Sequence, residues 1–299
     1  MRKIKIITDS CADMNKEMLE KYDVDYAKMS SFRNGVESPA YTTWSAEEIH
    51  EFYDFMRKGG RVTTAQVSME EFNKIFTHYI NEGYDIIYIG CSLKQSSSVN
   101  TGAIVAKKLM EENEGVKIEC IDSQNASFGI AMLVIEAAKM VKAGNNFEEI
   151  VNSVISLRKK VNQFVTVHSL TTLRKAGRVK GPAAFFGNLL GVKPILISDA
   201  NGEQTAYKKV KGRMNSFKEI VALLKEKMNG NEDQIVYFAH TDCSQEEVDL
   251  LINMIKEQIN CKDIVVGCIG PIIGGSVGPD TVGLWAYGDE VTFRVGETK

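Results

Sequence analysis

Strand-like and helix-like segments alternate through the first 150 residues, and this alternation constrains the fold more than any other feature of the chain. Residues 3–10 (KIKIITDS) have the pattern of a buried strand that ends at a polar turn, and DIIYIG and VKIECID have the same pattern. Amphipathic helical patterns separate these runs, and two of them begin with a capping box, at Ser45 with Glu48 and at Ser68 with Glu71. Such alternation predicts a mainly parallel sheet covered by helices on both faces.

The pattern changes near residue 160. Residues 193–210 (KPILISDANGEQTAYKKV) predict a hairpin whose turn is signalled by Asn201-Gly202, and helical patterns and single strands follow it. Hairpins mixed with helices indicate an α+β domain with a mixed or antiparallel sheet. We therefore expect an N-terminal α/β/α domain at residues 1–160, a C-terminal α+β domain at residues 161–299, and a ligand between them.

The composition argues against several classes of protein. A net charge of −3 over 299 residues provides no basic field that could hold nucleic acid or an anionic membrane. The six cysteines include no CxxC pair, and no histidine lies near them at zinc-finger spacing, so a zinc site is not expected. No cofactor is expected either. No stretch reaches the ~18 apolar residues of a membrane span, and the start of the chain is too short for a signal peptide. These features predict a cytoplasmic protein with reduced thiols.

Four polar segments are predicted to follow strands, and they are rich in hydroxyl side chains. Ligands of open α/β sheets bind beyond the carboxyl ends of the strands, so these turns are expected to be neighbours and to receive an anion. Ser and Thr also cap helices, and a cap uses one hydroxyl. Capping accounts for Ser68, but it does not account for every hydroxyl of Thr63-Thr64 or of Ser96-Ser97-Ser98. The four segments are residues 8–10, 62–68, 91–98 and 121–127.

Two other segments have both a structural and a functional interpretation. The basic stretch 174–182 (RKAGRVKGP) could be a solvated helix end, or Arg178 could clamp a carboxylate or phosphate. The glycine-rich stretch 270–279 (GPIIGGSVGP) lacks the ending of a P-loop, and we interpret it as a flexible connection or as a loop whose N–H groups face a ligand. Apolar residues 183–194 could line a tunnel or simply pack in the core. No catalytic residue is identified, because Ser92 lies outside a GxSxG elbow and the four histidines share no motif.

An ordered series of motifs resembles the DegV family of bacterial fatty-acid-binding proteins over nearly the whole chain. Each motif alone is weak, and the order of all seven carries the resemblance. The motifs are ITDSCADM, VTTAQVSMEEF, IGCSLKQSSSVNTG, IDSQNASFG, LRKAGRV, GVKPIL before DANG, and GPIIGGSVGP.

The resemblance implies a non-catalytic protein of two domains with one long-chain fatty acid buried in a tunnel between them. In the family the carboxylate is held at the positions of Thr64 and Ser96, with Thr63 and Ser97 as adjacent candidates, and the arginine matched by Arg178 lies near the head group. Members that act in fatty-acid phosphorylation present the acid to a separate kinase subunit that supplies ATP and Mg²⁺, and the acyl-phosphate enters phospholipid synthesis.

The chain departs from the family pattern at the glycine-rich motif. Ser276 stands where the family has a histidine that is expected beside the head group in the phosphoryl-transfer step, so Ser276 is a further ligand-binding candidate. Lys211 and Arg213 fall where the family often carries basic residues on the surface that faces the kinase. Two alternatives remain open from the residues themselves: a carrier of another small anionic or apolar ligand without kinase coupling, and a self-sufficient acyl hydrolase.

Overall fold

The structure is a computed structural model that describes residues 2–168, 170–181 and 191–295. Its strands are β1 (Lys3–Asp9), β2 (Val24–Ala27), β3 (Ser30–Arg33), β4 (Val36–Pro39), β5 (Val62–Ala65), β6 (Tyr84–Gly90), β7 (Ile118–Asp122), β8 (Val161–Thr166), β9 (Val179–Lys180), β10 (Val192–Ser198), β11 (Gln204–Lys211), β12 (Ile235–His240), β13 (Asp263–Cys268) and β14 (Val282–Tyr287). Its helices are α1 (Lys16–Tyr22), α2 (Ala46–Arg57), α3 (Met69–Asn81), α4 (Ser98–Glu112), α5 (Phe128–Lys142), α6 (Phe147–Leu157), α7 (Leu170–Ala176), α8 (Arg213–Met228), α9 (Gln245–Gln258) and α10 (Pro271–Val277).

A four-stranded parallel sheet, the first sheet, has the strand order β2-β1-β6-β7. Its two central strands, β1 and β6, carry apolar residues on both faces in their middle, and Ile6, Ile7, Ile86 and Ile87 are all buried because helices cover both faces of the sheet. The predicted parallel sheet is confirmed. The capping box of Ser45 and Glu48 also forms at the start of α2.

A small antiparallel sheet, in the order β4-β3-β5, was not expected from the sequence. Residues 24–32 form two strands rather than one continuous strand, since β2 belongs to the first sheet and β3 starts the small sheet at Ser30. The interpretation of residues 62–65 as part of a polar turn is wrong, since they form β5. Asn34 and Gly35, both with positive φ, make the tight turn between β3 and β4, and this Asn-Gly signal had been overlooked.

A seven-stranded mixed sheet, the large sheet, has the order β13-β12-β14-β8-β10-β11-β9, and its strands lie between residues 161 and 287. The predicted hairpin is confirmed as β10 and β11, and Gly202 takes a φ of 80° in its turn. One face of the sheet packs under α8 and α9. The other face, the inner face, shares a continuous core with the first sheet through residues such as Val165, Leu196 and Trp285.

The glycine-rich stretch near the C-terminus forms a helix, α10, so its interpretation as a flexible connection or loop is wrong. Pro271 occupies the start of the helix, where its missing N–H costs nothing. A Cβ atom on Gly275 would lie 2.8 Å from Val62 Cγ1, so the absence of a side chain lets α10 approach β5 closely. Throughout the described ranges, every helix is too short or too polar to span a bilayer.

Candidate functional site

A cavity of about 360 Å³ lies between the inner face of the large sheet and the segments that follow the strands of the first sheet. Small-molecule sites commonly have volumes of about 300–1,000 Å³. Segments after β1, β2, β6 and β7 all contribute, as expected for the carboxyl edge of a parallel sheet. The larger apolar side chains on its wall are Met29, Leu93, Val165, Leu173, Val179, Leu196, Ile269, Ile272, Ile273, Val277 and Trp285.

The structure brings five of the six proposed ligand-binding residues to this cavity. Thr64, Ser96, Ser97, Arg178 and Ser276 line it. Thr63 does not. Because side chains alternate along β5, that threonine is exposed on the opposite face of the strand.

Two hydrogen bonds hold the segment just after β5 and the start of α4 together, and they bring the two hydroxyl-rich segments to one place. The backbone N–H of Val67 donates to Ser98 Oγ over 3.1 Å. Gln66 Nε2 donates to Thr101 Oγ1 over 2.8 Å. Gln66 and Val67 closely follow Thr64, and Ser98 directly follows Ser97. The packing of α4 against this segment therefore fixes the positions of Thr64, Ser96 and Ser97 relative to one another.

The serines between β6 and α4 divide into a structural group and an available group. Ser92 Oγ donates to the carbonyl of Gly202 over 2.8 Å and so ties this loop to the hairpin turn. The buried Ser98 lies 2.9 Å from Ser96, oxygen to oxygen, and the N–H of Ser98 donates to Ser96 Oγ. Ser97 begins the helix without using its side chain. Several hydroxyls occur here because some of them build the loop and others remain for a ligand.

Three hydroxyls on the cavity wall are available for a ligand. Within residues 2–168, 170–181 and 191–295, the side chains of Thr64, Ser97 and Ser276 have no hydrogen-bond partner. A hydroxyl can donate to a carboxylate without the desolvation cost that a buried counter-charge would carry. These side chains can therefore receive an acidic head group.

Two exposed cations lie beside these hydroxyls. Arg178 follows α7, and its Nη1 donates to the carbonyl of Ala176 over 2.6 Å. Lys94 lines the same cavity and was not singled out from the sequence, because an isolated lysine in a loop carries no recognisable pattern. Both can attract an anion to the opening while remaining solvated.

The hydroxyls of residues 8–10, at the end of β1, belong to the fold rather than to the cavity wall, which this part of the chain reaches through Cys11. Thr8 Oγ1 donates to the carbonyl of Ile89 over 2.9 Å, and Ser10 Oγ donates to the carbonyl of Ala40 over 2.7 Å. Burial raises the pKa of Asp9, although its carboxylate accepts hydrogen bonds from Tyr88 and from backbone N–H groups. The expectation that this turn offers its hydroxyls to a ligand is therefore wrong.

Asp13 links three parts of the structure and was missed by the sequence analysis. Its Oδ2 accepts a hydrogen bond from Ser127 Oγ over 2.6 Å, and its Oδ1 accepts one from the N–H of Gly270 over 2.8 Å. Burial raises the pKa of Asp13 to about 7, against the lowering effect of these two hydrogen bonds. Because Gly270 is the residue before α10, Asp13 anchors the helix that carries Ser276.

The described part of the chain contains no group of three or more His, Cys, Asp or Glu side chains that could bind a metal ion. His240 accepts a hydrogen bond from the N–H of Cys243 over 3.3 Å, and burial lowers its pKa, so it has a structural role. The suggestion that residues 183–194 line a tunnel falls largely outside the described residues, apart from 191–194.

Comparisons with known proteins agree with this architecture. Residues 3–289 match the family model described as "Uncharacterised protein, DegV family". A DegV domain-containing protein of Clostridium perfringens is 32% identical over 291 residues, which are 97% of this chain and 99% of the relative.

Two solved structures from Thermotoga maritima match this chain, and each match spans 97% of this chain and 100% of the Thermotoga chain. A DegV lipid binding protein is 28% identical with a TM-score of 0.83, and a hypothetical protein described as revealing fatty acid binding function is 26% identical with a TM-score of 0.81. Because the match spans nearly the whole length in sequence and in fold, the chain belongs to the DegV family.

Proposed function

We propose that this protein binds one long-chain fatty acid, with the tail in the cavity and the carboxylate at Thr64 and Ser96. Ser97, Arg178 and Ser276 surround the head group in this proposal. The observation that carries it is the combination of apolar walls with the available hydroxyls of Thr64, Ser97 and Ser276. Ser96 lies beside them, and its Oγ can accept from Ser98 while its own O–H donates to the carboxylate. A self-sufficient hydrolase is less well supported, because Ser96 bonds to Ser98 rather than to a general base.

The energetics assign different tasks to the two parts of the ligand. Burying a C16 tail contributes on the order of 10 kcal/mol, at about 0.8 kcal/mol for each CH₂ group. A hydrogen bond to a charged group contributes about 1.5–3 kcal/mol. The tail therefore supplies most of the affinity, and the hydroxyls set the direction in which the acid lies. The two Thermotoga maritima relatives are described as binding lipid and fatty acid, which supports a fatty acid as the ligand.

Filling the cavity with a larger side chain is expected to prevent binding. Val165 lies on β8 and contributes to the cavity wall, so Val165→Trp places an indole where the tail would lie. Exclusion of three CH₂ groups alone costs about 2 kcal/mol. Native mass spectrometry of delipidated protein incubated with palmitic acid should show one bound acid on the wild type and little or none on the variant.

The matched control for this variant is Val236→Trp. Val236 is fully buried in the solid core under α8 and α9 and does not line the cavity. Overpacking a filled core costs about 1–3 kcal/mol or more, so this variant should lose more thermal stability than Val165→Trp while any folded fraction still binds the acid. Full palmitate binding by Val165→Trp would contradict the proposed location of the tail.

The bound acid is presented to a separate fatty-acid kinase subunit, which supplies ATP and Mg²⁺. This part of the proposal rests on the family resemblance, and Ser276 bears on it directly. A serine can donate a hydrogen bond to the head group, but it cannot exchange a proton near neutral pH as an imidazole can.

We therefore expect Ser276→His to accelerate acyl-phosphate formation by roughly 10–100-fold in the presence of a bacterial fatty-acid kinase catalytic subunit. The affinity for the acid itself should change little. The measurement is ADP release under saturating ATP and Mg²⁺, with protein lacking bound acid as the control. Equal rates for the two proteins would contradict the role given to this position, and no turnover by either would contradict kinase coupling while leaving acid binding intact.

A further inference from the structure

The cavity wall contains a buried pair of glutamine side chains that the proposed head-group site does not use. Gln163 on β8 and Gln204 on β11 both line the cavity, and they are only 4% and 8% exposed. They stand on the inner face of the large sheet, whereas Thr64 and Ser96 belong to segments on the other side of the cavity. Amide groups in an otherwise apolar wall carry a desolvation cost unless each is hydrogen-bonded.

The two amides are held in place by each other and by an indole. Gln163 Nε2 donates to Gln204 Oε1 over 2.6 Å, and Gln204 Nε2 lies 3.4 Å from Gln163 Oε1. Trp285 Nε1 donates to the same Gln163 oxygen over 3.2 Å. The strand register explains these contacts. Trp285 on β14 lies directly opposite Gln163 on the neighbouring β8. Strand β10 lies between β8 and β11, and its residue opposite Gln204 is the small Ser198, which leaves room for the two glutamine side chains to meet.

Each of these amides keeps one N–H group unused. An amide NH₂ carries two donors, and each Nε2 has a single acceptor among the residues the structure describes. Leaving a buried donor unpaired costs about 1–3 kcal/mol. A saturated hydrocarbon chain in the cavity offers these donors nothing, whereas an oxygen atom on the chain would accept from them.

We propose that Gln163 and Gln204 form a subsite for an oxygen atom carried on the acyl chain, so that the preferred ligand is a hydroxy or oxo fatty acid rather than a plain one. This inference rests on the proposed function, since it assumes that an acyl chain enters the cavity. The fixed Trp285 contact keeps the pair in one arrangement, so the subsite is preformed and favours an oxygen at one position along the chain.

The test is a competition measured by native mass spectrometry on delipidated full-length protein. The probes are stearic acid and a series of hydroxystearic acids in which the hydroxyl group stands at successive carbons from mid-chain to the methyl end. Wild type should prefer at least one hydroxy acid over stearic acid by about tenfold, as expected for one or two added hydrogen bonds. The double variant Gln163→Met/Gln204→Met should remove that preference, because methionine fills about the same space and carries no donor, whereas either single variant leaves the other amide with free N–H groups.

The matched control is Gln234→Met, which removes a glutamine amide that lies outside the cavity, just before β12, and bonds to the backbone of Tyr287; this variant should leave the preference unchanged. If wild type binds stearic acid and every hydroxy isomer equally well, a water molecule satisfies the donors and the proposal is overturned, whatever the fold of the variants. If no acid of either kind binds, the proposed function itself fails and this inference fails with it. A preference that persists in the double variant would also overturn it.

Discussion

Replacing Thr64 with Val and Ser96 with Ala together should weaken fatty-acid binding by about 2–5 kcal/mol while the protein remains folded. Both side chains line the cavity, and in the proposal each donates one hydrogen bond to the carboxylate. The fold should survive because Thr64 makes no side-chain hydrogen bond among the described residues, and because Ser98 keeps its bond to the N–H of Val67. Isothermal titration calorimetry with palmitic acid provides the affinity, and the thermal unfolding midpoint provides the fold control.

The neighbouring threonine supplies a matched comparison for the double variant. Thr63→Val makes the same chemical change one residue away, on the exposed face of β5. We expect it to bind palmitic acid with wild-type affinity. A loss in Thr63→Val as large as the loss in the double variant, or wild-type affinity in the double variant, would show that the head group lies elsewhere.

The second large effect is a pH dependence of stability caused by Asp13. Burial raises the pKa of this carboxyl group to about 7 in the folded protein, compared with an ordinary value of 3.8. Between these two pH values the folded state holds the proton and the unfolded state has lost it, so the free energy of unfolding falls as the pH rises. The full shift corresponds to roughly 4 kcal/mol, at about 1.36 kcal/mol for each pH unit.

Asp13→Asn isolates this contribution. The amide can keep the bond from the N–H of Gly270, but it has no proton to lose. The free energy of unfolding of the wild type minus that of the variant should therefore decrease by a few kcal/mol from pH 4 to pH 8. His240 also has a shifted pKa, but it is present in both proteins and cancels in the difference, whereas the charge of Asp9 is itself one cause of the raised pKa of Asp13. Urea unfolding of both proteins at several pH values measures this difference. If the free energies of unfolding of the two proteins changed with pH in parallel, the role assigned to Asp13 would be contradicted.

Local signals in the sequence predicted the elements whose stability depends on neighbours along the chain. The capping box at Ser45, the hairpin turn at Gly202 and the alternation that implies a parallel sheet all appear in the structure. Each depends on contacts within a few residues, or on burial of both faces of a strand. The second predicted box shows the limit of this reasoning. Ser68 caps its helix, whereas the Glu71 side chain accepts a hydrogen bond from the N–H of Lys28 instead.

Elements that depend on partners distant in sequence were misread. Residues 62–65 carry polar side chains that resemble a turn, but they become β5 because β3 supplies the missing hydrogen bonds. The glycines of α10 suggested a loop, but they allow that helix to pack closely on β5. Asp13 and the pair of Gln163 and Gln204 carried no motif. Their significance comes from burial, which makes an ordinary carboxyl or amide group costly unless it is paired.

By itself, the sequence determined the architecture and the family of this protein, and it identified most of the hydroxyls around the cavity. Hydrophobic periodicity and turn chemistry act over short distances and can be read in order along the chain. Only the tertiary structure decided which of those hydroxyls build the loop, which of the two adjacent threonines lines the cavity, and that Gln163 and Gln204 lie on its wall. Those properties depend on which polar groups are buried and which keep a free hydrogen-bond donor once the sheets and helices have packed. They cannot be read from the order of the residues along the chain.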